Sequence, residues 1–244
     1  MIASGGVVLG LLQARVHGAT VADNCLVRND WVCPDYVTTR STELADALTQ
    51  HVLITVVSVA LGVVLAFPLA LLARRNPVLR SVVLGASTVV YTIPSLALLS
   101  LLVGFTGLSI TTVVTALVLY SLTILVRNIV AGLDAVPDDV EDAARGMGFS
   151  SGRMLWRVQV PLALPAFFAG LRVAPVSTVA LTTIGFIVGP FGGLGNLIRN
   201  GLTGFFKAEV LTAAVLCVAL AIVADLLIIG AQRLSTPWTR GVRT

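Results

Sequence analysis

Charge is what this sequence has least of. Asp, Glu, Lys and Arg make up 11% of its 244 residues, sixteen bases against twelve acids. A soluble domain carries about a quarter. So few charges cannot cover the surface of a soluble fold of this size. A basic nucleic-acid face is also excluded, because it needs a dense cluster of cations. Lysine is almost missing, with Lys207 the only one. No G-x-x-x-x-G-K-[ST] run exists, so the chain holds no P-loop for a nucleotide. The only histidines are His17 and His51, too few for most metal sites, and no metal is expected. Aromatics are 6%, and Trp31, Trp156 and Trp238 all lie outside the long apolar runs. Cysteines number three. Cys217 sits in an apolar run as a packing residue. Cys25 and Cys33 lie in a polar stretch with no second ligand pair for zinc. Two readings stay open for them, a disulfide or two free thiols. The disulfide requires that stretch to lie outside the cytoplasm.

What is abundant is apolar. Hydrophobic residues reach 57% and the mean hydropathy is +0.97. Five runs are long enough to cross a bilayer at about 20 residues each: Val52–Ala73, Val82–Val103, Thr111–Val130, Leu162–Val188 and Val210–Ile229. They do not alternate as barrel strands would, and a backbone in lipid must satisfy its own hydrogen bonds. The expected fold is all-α, a polytopic helical bundle with five core spans. Residues 1–14 are apolar and Gly-rich but short for a span, and no basic segment precedes them as in a signal peptide. They read as an interfacial or partly inserted arm, with a sixth span as the alternative. Leu44, Ala47, Leu48 and His51 share a helical face, which suggests a surface helix leading into the first span.

The basic residues orient the bundle. Arg74, Arg75 and Arg80 fall between the first two runs, Arg145, Arg153 and Arg157 between the third and fourth, and Arg233, Arg240 and Arg243 after the fifth. The other side has Arg15, Arg28, Arg40, Arg199 and Lys207, while Arg127 and Arg172 stand within runs. The nine-residue side is expected to be cytoplasmic. The N-terminus is then outside and the C-terminus inside a cytoplasmic (inner) membrane. This divides the chain into an extracytoplasmic arm (1–51), a membrane domain (52–231) and a cytoplasmic tail (232–244). Asp225, an acid within the fifth run, has two readings: a structural partner for Arg172 or a group for proton coupling. No internal repeat is evident, which weighs against a secondary carrier built from duplicated halves.

The stretch from Asp134 to Pro161 is the longest connection between runs. Asp138 is suited to cap a helix, with Glu141 three residues on as in a capping box. Acids at its start favour the helix dipole, and Gly146 and Gly148 can end it. A second short helix is expected over Met154–Val158, with Pro161 opening the next span. Met147, Phe149, Leu155 and Trp156 are candidate apolar anchors. A solvated connector is the plain reading of such a segment.

The order of residues supports another reading. Asp142-Ala143-Ala144, three residues, Gly148, nine residues, then Val158-Gln159-Val160-Pro161 resembles the EAA loop of ABC importer permeases. That pattern runs Glu-Ala-Ala, three residues, Gly, nine residues, Ile-x-Leu-Pro. Here Asp142 stands for Glu, and valines stand for Ile and Leu. Arg127-Asn128 to Leu133, Tyr91-Thr92-Ile93-Pro94-Ser95-Leu96, and Phe186 to Gly195 are similar to segments of permeases for quaternary-amine osmoprotectants. The resemblance covers most of residues 50–231.

It implies a transport subunit rather than an enzyme, coupled through Asp138, Glu141, Asp142, Ala143, Ala144, Gly148 and Pro161 to a separate ATPase. The implied partners are two ATP-binding subunits, which would hold ATP and magnesium, a second permease copy or paralogue, an extracytoplasmic substrate-binding protein and the lipid bilayer, with no nucleic acid. The implied cargo is glycine betaine, choline or carnitine. The alternatives are an amino acid or other small solute, or a secondary carrier or channel acting without an ATPase. A cationic amine needs a lined path or an aromatic cage. The scarcity of aromatics disfavours a tight cage within the spans. Candidate path residues are Tyr91, Pro94 and Ser95 in the second run and Pro175, Thr178, Thr182 and Thr183 in the fourth. Proline frees a backbone carbonyl there, and small hydroxyls lie beside it.

Overall fold

A computed structural model describes residues 24–238. Residues 1–14, with the choice between arm and sixth span, and Arg240 and Arg243 lie outside the described residues. The described chain is helical throughout, with no strand.

Two short helices come first, α1 (Cys25–Arg28) and α2 (Pro34–Thr39). A Cys25–Cys33 disulfide joins them, with Cα atoms 5.4 Å apart. Helix α3 runs unbroken over Ser41–Ala73. At 33 residues it is about 50 Å long, well beyond a hydrocarbon core of about 30 Å. The expected surface helix and first span are therefore one rod, and the boundary at residue 51 falls inside it. Leu44 and His51 are buried because the rod's outer end packs on later parts of the chain.

The expected second span is not one helix. Helix α4 (Pro77–Thr92) and helix α5 (Ser95–Thr106) meet at 104°. Pro94 has no N–H, and the residue before a proline avoids helical dihedrals. Ile93 is accordingly extended, at φ −69° and ψ 126°. The Tyr120 hydroxyl donates to the freed Ile93 carbonyl. Among the described residues the bundle thus has four helices long and apolar enough to span, and a fifth span only if the bent pair counts as one.

Helix α6 (Ile110–Asp134) is the axis of the bundle. Ser109 caps it by accepting from the Thr112 N–H. Helix α7 (Asp138–Gly146) follows. Helix α8 (Ser151–Met154), a π-helical turn (Leu155–Gln159), helix α9 (Val160–Thr182) and a 3₁₀ turn (Thr183–Val188) form one continuous rod. The expected separate helix at Met154–Val158 is therefore the entry of the fourth span, displaced into a wider turn. Pro161 and Pro165 lack N–H groups, which loosens the regular ladder there. Helix α10 (Leu194–Thr203) and helix α11 (Lys207–Ser235) are the last of the described helices. Helix α11 takes in four residues of the expected tail and buries only Ala208, Glu209 and Ala213.

The spans meet through small residues. A Cβ on Gly62 would lie 2.3 Å from Ser121 Oγ, one on Gly132 2.8 Å from Ala166 Cβ, and one on Gly170 2.6 Å from Asn128 Cβ. These glycines let α3 and α9 approach α6 closely, where dispersion rather than water exclusion must hold helices together. Around them Ala66, Ala70, Leu125, Val126, Ala163 and Ala174 are buried. Helix α11 is held differently. Arg172 Nε lies 2.8 Å from Asp225 Oδ1 and Arg172 Nη2 3.0 Å from Asp225 Oδ2. That bidentate pair makes Asp225 a structural partner of Arg172.

Asp225→Asn should lower the yield of folded protein in mild detergent, and the swapped pair Arg172→Asp with Asp225→Arg should recover part of it. Size-exclusion recovery measures both. Gly195→Ala should cost roughly 1–3 kcal/mol by overpacking, because its Cβ would lie 2.0 Å from the Thr183 carbonyl oxygen. Gly85→Ala, with nothing within 4 Å of the new Cβ, should not lower the melting temperature.

Candidate functional site

Helix α7 begins on Pro137, which holds the N-cap position without a side-chain bond. Asp138 is the first helical residue rather than the cap, so the expected capping box is absent. The helix stands on its dipole instead: Asp138, Asp139 and Glu141 occupy the first turn and Arg145 the last. Gly148, at φ +80°, turns the chain away as expected of a glycine stop.

Four parts of the chain converge on this helix. Gln159, in the π-helical turn, donates from Nε2 to Glu141 Oε1 at 2.6 Å. Its own Oε1 accepts from Arg74 Nη1 at 3.3 Å. Arg74 stands at the end of α3 and lies 3.5 Å from Asp134 at the end of α6. Asp134 also pairs with Arg80 of α4 at 2.7 Å. Arg145 closes the set on Glu141 Oε2 at 3.2 Å. Because Gln159 is buried and Glu141 largely so, these bonds compete little with water.

The two acids of α7 therefore have different surroundings. Glu141 side-chain exposure is 14% and Asp142 exposure is 71%. Glu141 ties α7 to the bundle. Asp142 faces away and touches only Arg145 among the described residues. The two alanines divide the same way, with Ala144 buried and Ala143 exposed. Asp138, Asp139 and Met147 share the outward surface. Of the other candidate anchors, Trp156 is exposed but stacks on Phe67 at 5.4 Å, and Phe149 lies under the Arg153 guanidinium. Pro161 sits in the first turn of α9, directly after the π-helical turn.

At the opposite end of the bundle, the Gly-rich segment after the 3₁₀ turn is pinned to α3. Gln50 Nε2 donates to the Pro190 carbonyl at 3.0 Å, and its Oε1 accepts from Gly193 N–H at 3.0 Å. His51 Nδ1 accepts from Leu194 N–H at 3.2 Å. Its Nε2 therefore carries the proton and donates to the Val179 carbonyl at 3.1 Å. The disulfide-linked pair α1–α2 covers the start of α11. Asn29 donates to the Phe205 carbonyl at 2.7 Å and accepts from Lys207 N–H at 2.9 Å. Tyr36 is buried edge-on against Phe206 at 5.3 Å. Burial, with Glu209 and Glu43 nearby, pushes its phenol above the ordinary value.

The candidate path residues separate into two groups. Tyr91, Thr92 and Pro94 are exposed at the α4–α5 break, with Ser95 half-buried beside them. Pro175, Thr178 and Thr182 are buried inside the subunit. Thr178 and Thr182 donate to carbonyls of their own helix, Ala174 and Thr178. Thr183 is half-buried and bonds to Ala180. The fourth-span group is thus enclosed in the core, whereas Tyr91 stands on the open face. Sequence reasoning missed Gln159, Arg74 and Asp134. The signal for Gln159 was a lone amide between two valines just before Pro161.

Residues 58–241 match the family of binding-protein-dependent transport system inner membrane components. The chain belongs to that family: it is a multi-pass permease subunit of an ABC transport system, and a carrier acting alone is not favoured. The osmoprotectant import permease protein OsmW of Salmonella typhimurium is 36% identical over 205 residues, covering 82% of this chain and 94% of that one. The glycine betaine/carnitine/choline transport system permease protein OpuCD of Bacillus subtilis is 34% identical over 189 residues, covering 77% and 82%. The fold is that of the inward-facing MetNI methionine ABC transporter, with a TM-score of 0.73 and 22% identity over 79% of this chain and 96% of that one.

Gln159→Leu should free Glu141 from its shortest bond, at a cost of roughly 1–3 kcal/mol for the group left unpaired. Amide hydrogen exchange across Asp138–Gly146 should then quicken, whereas Asp142→Asn should leave it unchanged.

Proposed function

We propose that this chain is the permease of an ATP-driven importer that carries glycine betaine, choline or carnitine into the cytoplasm. The substrate class rests on the names of the relatives. The coupling role rests on one observation, the helix α7 tied through Glu141 and Gln159 to α3 and α9 while Asp142 and Ala143 point outward. Such a helix transmits displacement instead of absorbing it.

The end of the bundle that carries α7 is cytoplasmic in this reading, and the disulfide-linked segment is outside. Two ATP-binding subunits, which hold ATP and magnesium, meet the outward surface of α7 in two permeases, this chain and a second copy or a paralogue. ATP binding draws the ATPases together, moves both α7 helices and rocks the spans between inward-open and outward-open states. Energy is transferred because the ATPases favour one permease conformation. A binding protein delivers substrate at the end formed by α1, α2 and the Gly-rich segment.

Charge reversal at Glu141 and Asp142 together should abolish ATP-driven uptake in proteoliposomes while membrane insertion persists. Asp142→Arg alone should uncouple ATP hydrolysis from uptake without quickening hydrogen exchange in α7. Full uptake by the double variant would remove α7 from the coupling role.

A further inference from the structure

Two arginines stand within the spans, and they are treated differently. Arg172 is bidentate on Asp225. Arg127 has no ion pair among the described residues, and its guanidinium donates to Thr88 Oγ1 of α4. It lies seven residues before the end of α6, about 10 Å along the axis. A cation at membrane depth is costly without a counter-charge, and such residues mark ligand pathways. Arg127 is exposed on the face of the subunit, so its counter-charge comes from outside this chain's described residues.

The surroundings of Arg127 specify which anion fits. Thr88 and Tyr91 are three residues apart on α4, and both face α6. Thr88 meets Arg127, and Tyr91 meets Tyr120 with ring centroids 6.1 Å apart. Tyr91 therefore lies about 4.5 Å along α4 from the arginine contact. Tyr91 is 55% exposed. An open aromatic ring attracts a quaternary ammonium. A guanidinium takes a carboxylate through two parallel N–H bonds. The ring and the arginine contact are thus less than one helical turn apart along α4, so one small zwitterion placed between them has its ammonium at the ring and its carboxylate at the guanidinium.

We propose that Tyr91 and Arg127 form a two-point subsite for zwitterionic betaines, the ring holding the ammonium and the guanidinium the carboxylate. The proposal rests on the quaternary-amine reading above and sharpens it. Glycine betaine and carnitine satisfy both points. Choline has no carboxylate and brings a second cation towards an unpaired one. A single ring, rather than a cage, keeps the hold weak enough for release along a path.

The test uses the complete transporter, with its ATPase and binding protein, in proteoliposomes supplied with labelled glycine betaine or choline. Arg127→Gln should lower the ratio of betaine to choline uptake roughly tenfold, the scale of one lost charged hydrogen bond. Arg127→Lys, which keeps the charge but loses the fork, should lower it less. Tyr91→Leu should slow both substrates. An unchanged ratio in Arg127→Gln and Arg127→Lys overturns the subsite while leaving the quaternary-amine reading intact. So does a wild-type transporter that moves choline and no betaine. A wild type that moves neither overturns the reading itself, and the subsite with it.

Discussion

Helix α6 stands between α3 and α9, and both contacts are made where one side chain is missing. Gly62 admits Ser121, Gly132 admits Ala163 and Ala166, and Gly170 admits Asn128. In lipid the hydrocarbon around a helix is as apolar as its side chains, so helices gain little from mutual burial alone. They gain from close backbone approach and the dispersion contacts it permits. The rest of the bundle is placed by these contacts. They bring the ends of α3 and α6 together, so that Arg74 reaches Asp134. They also fix the π-helical turn beside them, so that Gln159 reaches both Arg74 and Glu141.

Helix α7 therefore does not hang from two flexible loops. Its inner acid is held by a buried amide, and its outer acid is left to solvent. A substitution of Asp for Glu in the Ala-Ala motif has little consequence for this anchoring, because the neighbouring Glu141 makes the inward contacts. The shorter Asp142 serves only the outward surface. At the other end, His51 and Gln50 satisfy the backbone of a segment that has no regular structure of its own. Irregular backbone at this position requires such partners, since unpaired amides are costly away from water.

The open face of the subunit is polar where the helices break. Pro94 ends α4, the Tyr120 hydroxyl takes the freed Ile93 carbonyl, and Tyr91, Thr92 and Arg127 remain exposed nearby. The threonines of α9 satisfy their hydroxyls on their own backbone and fill the core. Two sets of polar residues beside prolines thus have opposite surroundings, set by which side of their helix meets a neighbour.

Much of the architecture was legible in the sequence alone. Eleven per cent charge and apolar runs of span length require a membrane bundle, because no other fold satisfies such a backbone and such a surface. The acids at 138–142 and the glycine at 148 determine a short helix through its dipole and its stop. For Asp225 within an apolar run the sequence offered pairing with Arg172 or proton coupling, and the structure pairs the two. Only the tertiary structure decided that Pro94 breaks its helix rather than kinking it, that the surface helix and first span are one rod, and that Glu141 rather than Asp142 faces inward. It alone separated Tyr91 from Thr178 and Thr182. Hydropathy and spacing are properties of one segment at a time. The face that a helix buries depends on a partner many residues away, and that partner is chosen by close approach in three dimensions.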